Sequence, residues 1–86
     1  METAVEISLY PLQDNYIEVI RWFIRQLDGR PDIRRVTNGM STQLQGPHYQ
    51  IFNLLADATA ASYREFGRAV FVCKIIPGGV NLDHSE

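Results

Sequence analysis

Cysteine, histidine and excess charge of either sign are all scarce in this chain, and each shortage closes a class of function. One cysteine, Cys73, in a chain of 86 residues excludes an intrachain disulfide framework, and its use fits a reducing compartment, so a cytoplasmic location is expected. Two histidines, His48 and His84, stand far apart and without zinc-ligand spacing to Cys73, so no metal or cofactor is expected. Eight Lys and Arg against ten Asp and Glu leave a net charge of -2, which lacks the basic excess that drives nucleic-acid binding. No apolar run reaches the ~20 residues needed to span a bilayer. Glu2 and Glu6 occupy the place where a signal peptide would carry basic residues, so a soluble protein is expected. Gly46-Pro47 and Gly78-Gly79 are turn signals without the spacing of a phosphate-cradling loop. No acid, base and nucleophile set can be assembled, and a non-catalytic role is expected.

What remains is a clear alternation of periods. Val5, Ile7 and Leu9 alternate with Glu6, Ser8 and Tyr10 up to Pro11, the pattern of a half-buried strand. Asp14 or Asn15 then starts a helix with apolar residues at Tyr16, Ile17, Ile20, Phe23, Ile24 and Leu27, and Gly29 stops it. Residues 33–37 turn strand-like, Asn38-Gly39 reads as a two-residue hairpin turn, and Met40 to Gln45 return. A second helix follows Gly46-Pro47, with Ile51, Phe52, Leu55, Ala58, Ser62 and Phe66 inward, and Gly67 ends it. A last strand runs from Ala69 to Ile76 before Pro77-Gly78-Gly79. The order βαββαβ predicts an α+β ferredoxin-like sandwich: a four-stranded antiparallel sheet, strand order 4-1-3-2, with both helices on one face. Residues 1–79 form the single domain and 80–86 a polar tail.

With one face bare, side-chain parity has consequences. A two-residue turn sets Thr37 against Met40, Val36 against Ser41 and Arg34 against Gln43, turns Met40 and Leu44 toward the helices, and leaves Ser41, Gln43 and Gln45 beside Glu6, Ser8 and Tyr10. A polar lane is therefore expected along the middle of the bare face. The last strand is apolar at both parities, Val70, Val72 and Ile76 on one side and Ala69, Phe71, Cys73 and Ile75 on the other. Water against such a row is costly at ~25 cal/mol per Å², so a homo-oligomer, a dimer or tetramer formed through the sheet, is expected.

The run Ile7-Ser8-Leu9-Tyr10-Pro11-Leu12, the segment Asn38-Gly39-Met40-Ser41-Thr42 and the closing Val70-Phe71-Val72-Cys73-Lys74 together resemble the YkoF-like thiamine/hydroxymethylpyrimidine-binding family. The resemblance covers nearly the whole chain and implies a binding protein for thiamine or its pyrimidine half. Side-chain chemistry then nominates Glu6 for the ring-nitrogen edge, Ser8, Ser41 and Thr42 as hydroxyl partners, Gln43 as an amide partner, Tyr10 as a stacking wall and Asn38 at the rim.

Plainer roles stand beside these. Glu6 can pair with Lys74 on the neighbouring strand, Ser41 and Thr42 suit any hairpin, Asn38 suits a turn, and Tyr10 can pack on Pro11 or a subunit. Cys73 among apolar neighbours reads as core, Trp22 as a partly covered surface residue, and Arg30, Arg34 and Arg35, interspersed with Asp28 and Asp32, as a solvated loop. The second reading of the whole is a structural or regulatory oligomerisation module with a different ligand or none. The third strand carries no aromatics, which sets aside the base-stacking platform of RNA-recognition modules.

Overall fold

The computed structural model describes residues 1–83, so the final part of the expected tail, with His84, lies outside the described residues. The elements are β1 (Glu2–Pro11), α1 (Tyr16–Gln26), β2 (Arg34–Thr37), β3 (Thr42–Pro47), α2 (His48–Phe66) and β4 (Ala69–Pro77). They build one antiparallel sheet in the order β2-β3-β1-β4, which is the 4-1-3-2 order read from the other edge. The ferredoxin-like α+β arrangement is therefore as the periodicity predicts.

The core lies where both helices cover the two central strands. Val5 and Ile7 from β1 and Leu44 from β3 meet Phe23 and Leu27 from the α1 side and Ile51, Leu54 and Ala58 from α2. In α1 the inward line is Val19, Phe23 and Leu27, a four-residue step that stacks side chains on one face, whereas Tyr16 and Ile17 are exposed. The broad apolar stripe in the sequence concealed which third of it faces inward. In α2 Leu54 takes a core place and Phe52 is exposed, because Ile51, Leu54, Ala58 and Ser62 form the continuous three- and four-residue row. Trp22 packs edge-on to Phe66, ring centroids 5.1 Å apart, and ties the two helices together.

Neither helix reaches far over β4. Phe71 touches Phe23 with ring centroids 5.0 Å apart, but Val70, Val72, Ile75 and Ile76 are all exposed. Cys73, read from its neighbours as a core residue, is exposed as well. Apolar neighbours in sequence do not bury a side chain when the strand is an edge without a layer above it. Partial desolvation still pushes the Cys73 thiol pKa upward.

The connection between β2 and β3 differs from the two-residue turn. Thr37 pairs with Thr42, Val36 with Gln43, Arg35 with Leu44 and Arg34 with Gln45, leaving Asn38–Ser41 as a four-residue loop. The expected type I′ turn needs positive φ at Asn38, and among the described residues no non-glycine residue has it. Instead the Asn38 carboxamide oxygen accepts from the Met40 and Ser41 N–H groups at 2.8 and 3.1 Å, making an Asx-type loop. The register is displaced by two residues, so the faces of Leu44, Gln43 and Gln45 survive. Met40 does not: it belongs to the loop and is 89% exposed rather than turned to the helices.

Residues 78–83 are laid back across the helix-free face. The Gly78 N–H donates to the Glu2 carbonyl at 2.7 Å, the Val80 N–H donates to the Gln45 side-chain oxygen at 2.7 Å, and Arg34 grips the Asp83 carboxylate with both terminal nitrogens. That double contact holds the Asp83 carboxyl below its ordinary pKa. The stretch read as a tail is thus tethered, as far as it is described, by β3 and β2.

Candidate functional site

Two cavities flank the central strands, and the seven nominated residues divide between them. The first lies at the end of the sheet where β1 outruns its neighbour. The β1–β3 ladder stops at Ile7 opposite Thr42, while β1 continues to Pro11 paired only with β4. Into that gap open a floor of Ile7 and Leu9, an α1 wall of Ile20, Phe23 and Ile24, and a rim made by Thr37 and the loop Asn38 to Thr42. The resulting cleft has a volume of about 180 Å³ and includes Ser8, Tyr10, Asn38, Ser41 and Thr42 among its lining residues. Its apolar floor with a few polar groups at the rim is the composition of a small-molecule site.

The backbone adds what the side chains do not. Antiparallel strands direct alternate residues' N–H and C=O groups to one neighbour and the others to the opposite neighbour. Glu2 accepts from Gly78 on the β4 side and Met1 accepts from His48 on the β3–α2 side. The same alternation turns both main-chain groups of Leu9 toward β3, which has already ended. Leu9 therefore offers one donor and one acceptor at the cleft, a feature that a search for polar side chains passes over.

Thr42 is buried on the helical side, the side of Leu44, with its hydroxyl 3.0 Å from that of Thr37. Arg35 donates to the same Thr37 hydroxyl at 2.8 Å and to Asp28 at 2.6 Å, so a short polar chain leads from the Thr42 side of the cleft to the surface. The loop that carries Asn38 and Met40 is held chiefly by the Asn38 carboxamide and by the Asn38 N–H to Ser41 carbonyl bond of 3.1 Å.

On the helix-free face Glu6, Ser41, Gln43 and Lys74 form one connected polar group. The Ser41 hydroxyl donates to Glu6 at 3.1 Å, the Gln43 amide reaches the Ser41 hydroxyl at 3.5 Å, and Lys74 lies 3.7 Å from Glu6, its partner in the strand register. Glu6 and Gln43 line the second cavity, about 380 Å³, together with Ala4, Lys74 and Ile76 below and Val80, Asn81 and Leu82 above. This second space is bounded by the chain's own C-terminal segment. Tyr10 belongs to the first cleft, 58% exposed, with Val70 opposite it on β4.

Other charged candidates are accounted for by ion pairs. Arg30 meets Asp57 at 2.9 Å, Arg34 meets Asp83, and Arg35 meets Asp28, so the basic cluster is neutralised at the surface. His48 sits at the start of α2 with Nδ1 2.7 Å from the hydroxyl of the fully buried Thr3. Among the described residues there is no group of three or more His, Cys, Asp or Glu that could hold a metal ion. No helix among them is long and apolar enough to cross a membrane.

Fold and cleft define a small ferredoxin-like domain with a receptor-shaped gap at one end of its sheet. The model of the YKOF-related family matches residues 2–74, and the chain belongs to that family. No curated protein matches it. Among solved structures it is similar to a Thermotoga maritima protein provisionally assigned to thiamine biosynthesis or salvage, with 17% identity and a TM-score of 0.83 over 96% of this chain and 92% of that one. It is also similar to a Streptococcus pneumoniae protein, with 22% identity and a TM-score of 0.84 over 96% and 94% of the two chains. A hypothetical protein of Methanocaldococcus jannascii gives 22% identity and a TM-score of 0.75 over 98% and 84%. At such identities the likeness establishes the fold.

Proposed function

We propose that this protein is a non-catalytic, cytoplasmic binding protein for thiamine or its hydroxymethylpyrimidine half, acting as a homo-oligomer. The observation that carries the reading is the cleft beside β1, with its apolar floor, its hydroxyl and carboxamide rim and the unpartnered main-chain edge of Leu9. An aminopyrimidine presents adjacent donors and acceptors on a flat ring, and a strand edge beside an apolar wall matches both features. Membership of the YKOF-related family and the thiamine-linked Thermotoga relative support the ligand class. A volume of about 180 Å³ suits one heterocycle. The thiazolium of a whole thiamine would then lie outside, near the exposed Tyr10 ring, where a cation–π contact is available. Ser8, Ser41, Thr42 and Asn38 are assigned to the rim. Glu6 and Gln43 act through Ser41, which Glu6 holds by hydrogen bond.

Thermal denaturation against hydroxymethylpyrimidine, thiamine, amino acids and nucleotides tests the proposal. Ligand at a hundred times its dissociation constant stabilises the native state by ~2.7 kcal/mol, equivalent to about 10 °C or more in a domain of this size. The rise is expected with the pyrimidine and with thiamine. Thr42→Val, which keeps the shape and removes the hydroxyl, is expected to weaken it. No rise with either compound at millimolar concentration would leave the oligomerisation-module reading in possession, supported by the bare β4.

A further inference from the structure

On the outer side of the helical layer lies a groove of about 340 Å³, lined by Glu18, Arg21, Trp22 and Arg25 of α1 and by Phe66 at the end of α2. It shares no residue with either cavity beside the central strands. We propose that this groove docks an acidic amphipathic helix of a partner protein, with an apolar side chain seated on Trp22 and Phe66 and carboxylates held by Arg21 and Arg25.

The spacing in α1 makes the floor and the wall together. Steps of three and four residues place Glu18, Arg21, Trp22 and Arg25 on one stripe, beside the inward line of Val19, Phe23 and Leu27. Trp22 is half-buried and meets Phe66 edge-on, centroids 5.1 Å apart, so the floor is an interlocked aromatic pair. Two side-chain amides brace its main chain: Gln26 donates to the Trp22 carbonyl and Gln13 to the Phe66 carbonyl, each at 3.3 Å. A floor that is already ordered spares a partner the entropy of forming it. Tryptophan and arginine are also the side chains that most often dominate the energy of protein contacts.

Charge selects the occupant. Arg30, Arg34, Arg35 and Lys74 each meet a carboxylate, whereas Arg21 and Arg25 have none among the described residues, and Glu18 bridges neither. Arginines four residues apart on a helix stand ~5–6 Å apart at Cβ and repel each other. In a chain of net charge -2 they form a local positive pair with no counter-charge in place. Two carboxylates one turn apart on a partner helix have the same spacing and relieve that repulsion. Glu18, at the N-terminal end of the groove, repels a carboxylate and so confines the acidic residues to the Arg21 and Arg25 end. The lining selects a peptide over a small molecule. None of the lining side chains is a buried polar group, and Glu18, Arg21 and Arg25 are all exposed. A small-molecule site needs converging polar groups to fix orientation. A helix recognised through the side chains of one face does not.

Trp22 is the chain's sole tryptophan, so its emission reports on the groove directly. The full chain is titrated with a capped alanine-based helical peptide bearing one phenylalanine and two glutamates, one turn apart, on the same face. A twin peptide has glutamine in place of both glutamates. The expected result is a saturable change in emission with the acidic peptide that weakens as salt is raised. The twin binds about tenfold more weakly, and so does Arg21→Gln/Arg25→Gln with circular dichroism unchanged. Glu18→Gln binds about twofold more tightly. Arg64→Gln, at an exposed position outside the groove, binds as the parent does. No saturable change at millimolar peptide, an equal response to the twin, or undiminished binding by Arg21→Gln/Arg25→Gln overturns the proposal. Weaker binding by Glu18→Gln, or a loss in Arg64→Gln as large as in the double variant, overturns it as well. So does an equal response to benzoate alone, which makes the groove a small-anion site, or a change on concentrating the protein without peptide, which seats a second copy there.

Discussion

The two edges of the sheet are finished in opposite ways. β2 is four residues long, carries Arg34 and Arg35 in ion pairs with Asp83 and Asp28, and is bound by the returning C-terminal segment. β4 is nine residues long with one charge, Lys74, and exposed valine and isoleucine on both faces. Short length and positive charge are standard protection against edge-to-edge pairing, and β4 is long and carries the single charge of Lys74. The lesson is that one sheet can carry a short, charged and tethered edge beside a long, apolar and uncovered one. The same division orders the interior, because the helices cover β3 and β1 and leave β4 largely uncovered.

The comparison can be broken most sharply in the core. Leu44→Ala on β3, beneath both helices and fully buried, is expected to cost about 2–5 kcal/mol in urea unfolding. Ile76→Ala on β4 is expected to cost well under that at high dilution, with the loss growing as concentration rises and the edge is used. Equal costs at high dilution would contradict the account of an uncovered β4. A second effect of intermediate size concerns the join of β2 and β3. A Cβ at Gly46 would sit 2.7 Å from the Asp32 carbonyl oxygen and 2.9 Å from the Ile33 side chain, whereas one at Gly39 meets nothing within 4 Å. Gly46→Ala is therefore expected to destabilise by about 1–3 kcal/mol, and Gly39→Ala to be nearly neutral by the same unfolding assay.

The smallest effect sharpens the β2 side. Asp83 has its carboxyl pKa lowered, first by hydrogen bonds from Arg34. The contact is therefore fully present above the unfolded carboxylate pKa of ~4 and is lost as pH falls below it. Hydrogen exchange of the Val80 amide, corrected for intrinsic rates, should show constant protection from neutral pH down to that point and a decline beneath it. Asp83→Asn should bring the same decline at neutral pH. An Asp83→Asn protein with undiminished protection would show that the Gln45 contact holds the segment alone.

Much of this was legible in the chain, for reasons of period. Strict alternation in Val5 to Tyr10 and the three- and four-residue spacing around Phe23 and Ile51 suffice for the element order and the sheet topology. The loop was misjudged because Asn-Gly admits two solutions: positive φ at both residues, or a carboxamide that caps its own turn, as Asn38 does here. Cys73 was misplaced because local hydropathy reports neighbours along the chain and not the layer above them. For the site, Ser8, Tyr10, Asn38, Ser41 and Thr42 come together at one cleft, while Glu6 and Gln43 lie around the other cavity. That split arises because β1 is longer than β3, a difference of ladder length that side-chain parity does not encode. The Leu9 main-chain edge follows from the same difference.

The most direct test of the ligand site is a backbone amide NMR titration with hydroxymethylpyrimidine. The account predicts saturable shifts concentrated at Ile7 to Tyr10 and Asn38 to Thr42, with the Leu9 amide moving strongly downfield as it donates to the ring. Shifts confined to Glu6, Gln43, Lys74 and Val80 to Leu82, or no saturable shift at all, would contradict it.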